Sequence, residues 1–281
     1  MPEHASPVKG MFLLIDRKSD EGLSRWVEEL YNRKMPALIM ADGHTVNKNP
    51  DLIKSISDRY FDVGCIYNDG PFWSHIHEDM ITWLPQWVHI EKPHLKEPYE
   101  VQYEIMTQIN EKITPLIGGI MRAFSGKYFS YNQNTQEIAD LLKIPFILAR
   151  GTAGARAVFY KPEEYRAAII SVSNVPSQQL GTGSLCDESL KARGEKPDGL
   201  RKLLFSLEVD RVILVAQSHI SGLMQEWWDV YMDYFDQVDV QWHTLNDFVT
   251  IPPAIPNEEI PMNFRVDYMR LNPEEEVSDI V

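Results

Sequence analysis

The sequence predicts an α/β fold of about seven or eight strand-helix units, the size of a barrel of parallel strands rather than a five-stranded open sheet. Element order alone leaves the open sheet standing. Two observations carry the prediction. Apolar runs of strand length alternate with segments of helical three-and-four spacing between Met11 and Tyr67, an order that favours parallel strands joined by right-handed crossovers. The chain also has 281 residues with 44% apolar content, enough to bury the core of one large domain.

Met11 to Asp16 (MFLLID) is a short buried strand ending in an acid, followed by an amphipathic helix over Gly22 to Lys34 with Leu23, Trp26, Val27, Leu30 and Tyr31 on one face. Ala37 to Asp42 is a second strand ending in an acid, with Gly43 and His44 just beyond. Pro50 starts the next helix, where its missing N–H and the charge of Asp51 suit the first turn. Asp62 to Tyr67 is a third strand, leading through Asn68-Asp69-Gly70 into a loop that carries Trp73, His75 and His77. Met80 to Pro98, with Trp83, Trp87, His89 and His94, has no clear period and reads as an excursion over one end of the sheet. Further strands are expected at Met121–Tyr128, Pro145–Arg150, Ala167–Ser173, Arg211–Gln217 and Val240–Leu245. Helices are expected at Tyr99–Ile117, Thr135–Leu142, within the charged region Ser184–Leu207 and at Leu223–Phe235. These elements give a barrel domain over residues 11–250, a 1–10 extension and a proline- and acid-rich tail over 251–281.

Composition excludes several classes. A formal charge of -14, from 41 acids and 27 bases, argues against wrapping a phosphate backbone, so nucleic acid is not expected as a partner. Two cysteines, Cys65 and Cys186, are too few for a disulfide framework, and Cys65 reads as a small core residue. MPEHASPVKG lacks the pattern of a secretory signal, and no run approaches membrane-spanning length. A cytoplasmic protein is the expectation. Gly151 to Arg156 (GTAGAR) lacks the spacing and Lys-Ser/Thr ending of a phosphate-cradling loop. Trp227, Trp228 and Tyr231 either bury a subunit interface in a homo-oligomer or pack on the barrel.

Strand ends bring ionisable groups to one rim: Asp16, Asp42 with His44, Asp69 with His75 and His77, Tyr128, Arg150 and His219. Histidine nitrogens and carboxylate oxygens suit a borderline divalent ion such as zinc, whose bound water would become a nucleophile near neutral pH. A free carboxylate would serve as base and a free histidine as acid. The alternative is that each is a solvated loop end or a helix cap, most of all Asp42 and Asp69, which precede glycine.

In motif order the chain resembles the polysaccharide deacetylases of the nodulation-protein type, carbohydrate esterase family four, over Met11 to Val249. The family's first strand ends in Thr-Phe-Asp-Asp-Gly, where this chain has LLID and Arg17; LIMADG matches its second strand, and Asn49-Pro50-Asp51-Leu52-Ile53 its next helix start. Phe72-Trp73-Ser74-His75 is similar to its His-Thr-Trp-Ser-His motif, Thr135-Gln136-Glu137-Ile138-Ala139 to a later helix start, and Val215-Ala216-Gln217-Ser218-His219 to its Leu-x-His strand end. The resemblance implies an incomplete seven-stranded β/α barrel and a metal-dependent hydrolase. It makes Asp16 the base, His219 the acid and His75 a metal ligand. Arg17 stands where a second aspartate would bind metal, Pro71 where the first ligand histidine would be, and Ser125 where an arginine orients the base. His77, Asp42 and His44 are then candidates to rebuild the metal site. Arg17 is expected to pair with Asp16 or to receive an anionic substrate group, and Trp73, Tyr128 and Arg150 to contact substrate.

Three readings follow. The first is a hydrolase cutting an N-acyl C–N bond of a sugar or sugar-like substrate. The second is an inactive descendant of the fold that binds a carbohydrate or a biosynthetic partner. The third is a metal-free enzyme in which Asp16 and His219 are the acid/base pair and Arg17, Lys127 or Arg150 holds an anion. All expect Asp16 and His219 to face one another across a shared cavity.

Overall fold

A computed structural model describes residues 7–67, 99–126, 129, 131–149, 158–160, 164–177, 181–192 and 194–250. Its first half runs β1 (Val8–Ile15), α1 (Asp20–Asn32), β2 (Ala37–Asp42), α2 (Gly43–Lys48), α3 (Pro50–Asp58), β3 (Asp62–Tyr67), α4 (Tyr99–Ile117), β4 (Ala123–Gly126) and α5 (Gln133–Leu141). There follow β5 (Phe146–Ala149), β6 (Val158–Tyr160), β7 (Ala168–Ser171), β8 (Asn174–Ser177), β9 (Gly181–Ser184), α6 (Asp187–Ala192) and α7 (Pro197–Phe205). Last come β10 (Arg211–Gln217), α8 (Gln225–Gln237), β11 (Val240–Trp242) and α9 (Leu245–Thr250).

Seven strands lie parallel in the order β10-β1-β2-β3-β4-β5-β7, with β6 antiparallel on the outer edge. Alternation along the strands separates two cores. Met11, Leu13, Leu38, Met40, Leu148 and Val215 belong to an inner cluster. Phe12, Leu14, Ile39, Ala41, Leu214 and Ala216 pack outward against Leu23, Trp26, Ile53 and Tyr231 of the helices. Strands covered on both faces have to be apolar throughout, which is why RVILVAQ is buried along its whole length. Among the described residues no strand joins β7 to β10. Instead Leu185 N–H donates to Ser173 O at 2.8 Å, Ile213 N–H donates to Ser173 Oγ at 2.9 Å, and Cys186 makes an isolated parallel bridge to Val215. The barrel is therefore incomplete, as the resemblance implied.

Several boundaries differ from the sequence reading. The first strand starts at Val8, inside the expected extension, and ends before Asp16, which leaves the ladder. A short helix not read from the sequence follows Asp42, whose carboxylate caps it by accepting His44 N–H at 2.7 Å. The last expected strand shrinks to β11, which pairs with the start of β1 instead of extending the barrel. Behind it, α9 places Leu245 and Phe248 in the inner cluster, and Leu245 N–H donates to Asp62 Oδ2 at 3.2 Å. These contacts close the end of the barrel where the strands begin. The β8–β9 hairpin and β6 were not legible in the sequence. The tail over 251–281 lies outside the described residues.

Helix starts follow the sequence closely. Ser19 caps α1 by accepting Gly22 N–H at 3.3 Å, Asn49 caps α3 ahead of Pro50, and Asn132 with Thr135 forms a capping box on α5. Trp227, Trp228 and Tyr231 are buried, with Trp26 and Trp228 ring centroids 4.6 Å apart. They are core against α1, which removes them as the basis for an oligomer interface. Cys65 and Cys186 are free and buried.

A side chain on Gly22 would run into the Ser218 carbonyl, and one on Gly222 would run into the Gly22 backbone. The two glycines let the start of α1 lie directly on the turn after β10. Gly22→Ala is expected to cost about 1–3 kcal/mol by overpacking, read as a lower urea midpoint. An unchanged midpoint would contradict this account of the contact.

Candidate functional site

Parallel strands of an α/β barrel deliver their functional side chains where the chain leaves each strand. Pairing of Ile15 with Gln217 puts the exits of β1 and β10 side by side. Ser218 N–H donates to Ile15 O at 2.9 Å, and Asp16 N–H donates to Met40 O at 2.9 Å, so the first residue past each strand is still held by its neighbour. Asp16 is fully buried. Its Oδ1 accepts the Ser218 hydroxyl at 3.0 Å, and its Oδ2 accepts the Asp42 amide at 3.4 Å. The Ser218 hydroxyl also accepts Arg17 N–H at 3.2 Å. Burial raises the Asp16 pKa and the Asp42 carboxylate adds to the rise, against the Thr45 and Ser218 hydroxyls and the Asp42 amide.

Arg17 does not pair with Asp16. Its guanidinium forms an ion pair with Glu188, on the first turn of α6. Glu188 Oε1 is also 3.7 Å from His219 Nε2, beyond hydrogen-bond length. The three side chains are partly exposed, at 37% for Arg17, 25% for Glu188 and 26% for His219. Burial, then the charges of Arg17 and Lys191, lowers the His219 pKa to about 4, so the imidazole is neutral at pH 7. Burial raises the Glu188 pKa, and Arg17 opposes that rise. His219 Nδ1 is buried without a hydrogen-bond partner among the described residues.

Asp16 and His219 therefore follow the ends of neighbouring strands. Ser218 is the group against Asp16, while the imidazole turns toward Glu188. Glu188 was missed in the sequence because an acid at a helix start reads as ordinary dipole compensation. Asp187, fully buried beside it, was missed for the same reason.

Among the described residues no group of three His, Cys, Asp or Glu side chains is placed to hold a metal ion. Asp42 is engaged as a helix cap, His44 lies in the first turn of α2, and Arg17 brings a positive charge to the exit of β1. The described members of the proposed donor set do not by themselves form a site for a divalent ion. Trp73, His75, His77, Lys127, Tyr128 and Arg150 lie outside the described residues. No described helix is long and apolar enough to cross a membrane.

No family model matches the sequence, and no curated protein matches it. Solved structures do. A Mycobacterium smegmatis protein assigned as a polysaccharide deacetylase superposes with a TM-score of 0.60 at 11% identity, covering 88% of this chain and 90% of that one. A CE4 family pseudoenzyme from Bacillus anthracis gives 0.52 at 14% identity over 86% of this chain and 66% of its own. A family 4 carbohydrate esterase from Streptomyces lividans, in complex with acetate, gives 0.50 at 10% identity over 86% and 94%. At these identities the likeness establishes the fold.

Two outcomes follow from the geometry. Ser218→Ala removes a donor from a buried carboxyl and is expected to cost about 1–3 kcal/mol in chemical denaturation. His219 binds its proton less readily folded, at about 4, than unfolded, near 6.5. Between those values the unfolded chain holds the extra proton, so this group's contribution to stability rises with pH and is weakest below about 4. The stability of wild type relative to His219→Gln should accordingly rise from pH 4 to 6.5 and level off above; a flat difference would refute the buried, neutral imidazole.

Proposed function

We propose that the protein is a divergent polysaccharide-deacetylase-like hydrolase that binds a sugar or sugar-like substrate over the strand exits and cleaves its N-acyl C–N bond. The observation that carries this reading is the placement of Asp16 and His219 at the exits of two neighbouring parallel strands, on a fold shared with carbohydrate esterases. Asp16, with its pKa raised by burial, would take the proton of the attacking water. His219, in its protonated form, would pass a proton to the departing amine nitrogen and end as the neutral imidazole that burial and the charges of Arg17 and Lys191 favour. Arg17 would hold an anionic part of the substrate or the developing oxyanion. His75 and His77, with Asp42 and His44, stand as proposed metal ligands that the described donor set does not complete, and no step here passes through a metal. A cytoplasmic location, expected from the sequence, belongs to this proposal.

A second reading, an inactive fold that binds a carbohydrate, is favoured by two observations. Asp16 is fully buried and already accepts two hydrogen bonds, and His219 is neutral at pH 7. Acetate release from N-acetylglucosamine oligomers, measured beside calorimetric binding of the same oligomers, separates the two. Under the first reading Asp16→Asn and His219→Gln each lower kcat by about 100-fold or more with folding retained. Binding without acetate release, unchanged in the Asp16→Ala/His219→Ala double variant, would establish the second and end the first.

A further inference from the structure

The proposed chemistry leaves one buried carboxyl unused. Asp187 is fully buried, and its two oxygens reach three backbone N–H groups from two separate segments. Oδ1 accepts Glu188 N–H at 2.8 Å and Gln217 N–H at 3.1 Å, while Oδ2 accepts Ser221 N–H at 3.1 Å and Gln217 N–H at 3.2 Å. Gln217 and Ser221 are the two ends of the turn that carries Ser218 and His219. Glu188 is the acid beside His219. We propose that Asp187 is the positioning residue of this site, clamping both ends of the His219 turn and the start of the Glu188 helix onto one carboxyl so that the two side chains keep a fixed separation.

The surroundings are built to hold that carboxyl still. Asp187 N–H donates to the Tyr231 hydroxyl at 3.2 Å, which donates to Val215 O at 2.7 Å and so ties the start of α6 to the middle of β10. The neighbouring bridge from Cys186 to Val215 lays the same segment along the strand. Ser221 Oγ donates to Gln217 O at 3.3 Å, closing the turn on itself, and accepts Trp26 Nε1–H at 3.2 Å from α1. Asp187 bonds the turn, the end of its strand and the neighbouring helix together. An asparagine there would keep one acceptor oxygen but set an NH2 against the Gln217 or Ser221 N–H, where donor meets donor. The positions of Ser218 and Arg17, linked through the Ser218 hydroxyl, would loosen with the turn.

Burial raises the Asp187 pKa to about 7, against the Ser221 side chain and the backbone donors. The groups that face His219 are Glu188 and Lys191 from α6 and Arg17 from the exit of β1. This inference deepens the hydrolase reading and rests on it for the purpose of the geometry, but its test reads positions rather than turnover. In the wild-type protein, nitrogen–proton spectra followed from pH 5 to 9 should show the amides of Glu188, Gln217 and Ser221 titrating with one shared midpoint near 7. In Asp187→Asn the His219 imidazole should titrate about one unit or more above its wild-type value, toward the ordinary 6.5, as the turn relaxes into water. Tyr231→Phe, which leaves the carboxyl bonds in place, should lower the melting temperature without moving His219. Three amides with unrelated midpoints would overturn the clamp even if Asp187→Asn fails to fold. So would an Asp187→Asn protein that melts earlier while His219 titrates as in wild type, the behaviour of a merely structural residue. Failure of the sugar assay with both titrations as expected would remove the hydrolase and leave the clamp.

Discussion

The parallel pairing of β1 with β10 is the constraint on which the rest depends. These strands are separated by most of the chain, yet seven residues of β1 from Lys9 to Ile15 face Arg211 to Gln217 in unbroken register. Shifting that register by one residue would send every side chain to the opposite face. It would expel Met11, Leu13, Ile213 and Val215 from the inner core and carry Ser218 away from Asp16. Core and rim are therefore specified together: the same apolar alternation that fills the barrel decides which polar residues meet where it ends.

The rim shows how an acidic protein keeps charge at a nearly buried place. Asp16 gains a hydroxyl and an amide, and Glu188 gains the Arg17 guanidinium. His219 stays uncharged between Arg17 and Lys191. A buried ion left without a partner costs several kcal/mol, and each of these groups avoids that cost by a different route. Arg17 is the pivotal residue. Its backbone N–H joins the Ser218 hydroxyl to the exit of β1, and its side chain neutralises the acid nearest the imidazole.

Much of the fold was legible in the sequence for simple reasons. Strands buried on both faces have to be apolar runs, and ALIMAD and RVILVAQ are such runs. Helix starts announce themselves through capping residues, as Ser19, Asn49 and Asn132 do. The site was legible only in its strand-end members. Asp16, Asp42 and His219 follow apolar runs and so could be placed on one rim. What each one touches could not be read, because contacts at the rim depend on rotamers and on segments distant in the chain. Asp42 proved to be a helix cap, the alternative left open by the glycine after it. Glu188 and Asp187 come from a connection between β9 and α7 that has no strand of the barrel, and nothing in their local pattern distinguishes them from acids at any helix start. The Trp227, Trp228 and Tyr231 face, readable as an interface or as packing on the barrel, is packing, because its partner is Trp26 of α1.

The central claim is that the exits of β1 and β10, with the start of α6, form one carbohydrate-recognising surface. Amide shift mapping with an N-acetylglucosamine oligomer tests it most directly. The account predicts that the largest saturable changes fall together on residues 16–19, 186–191 and 217–221. Saturable changes confined to other parts of the fold, with these three segments unmoved, would contradict it.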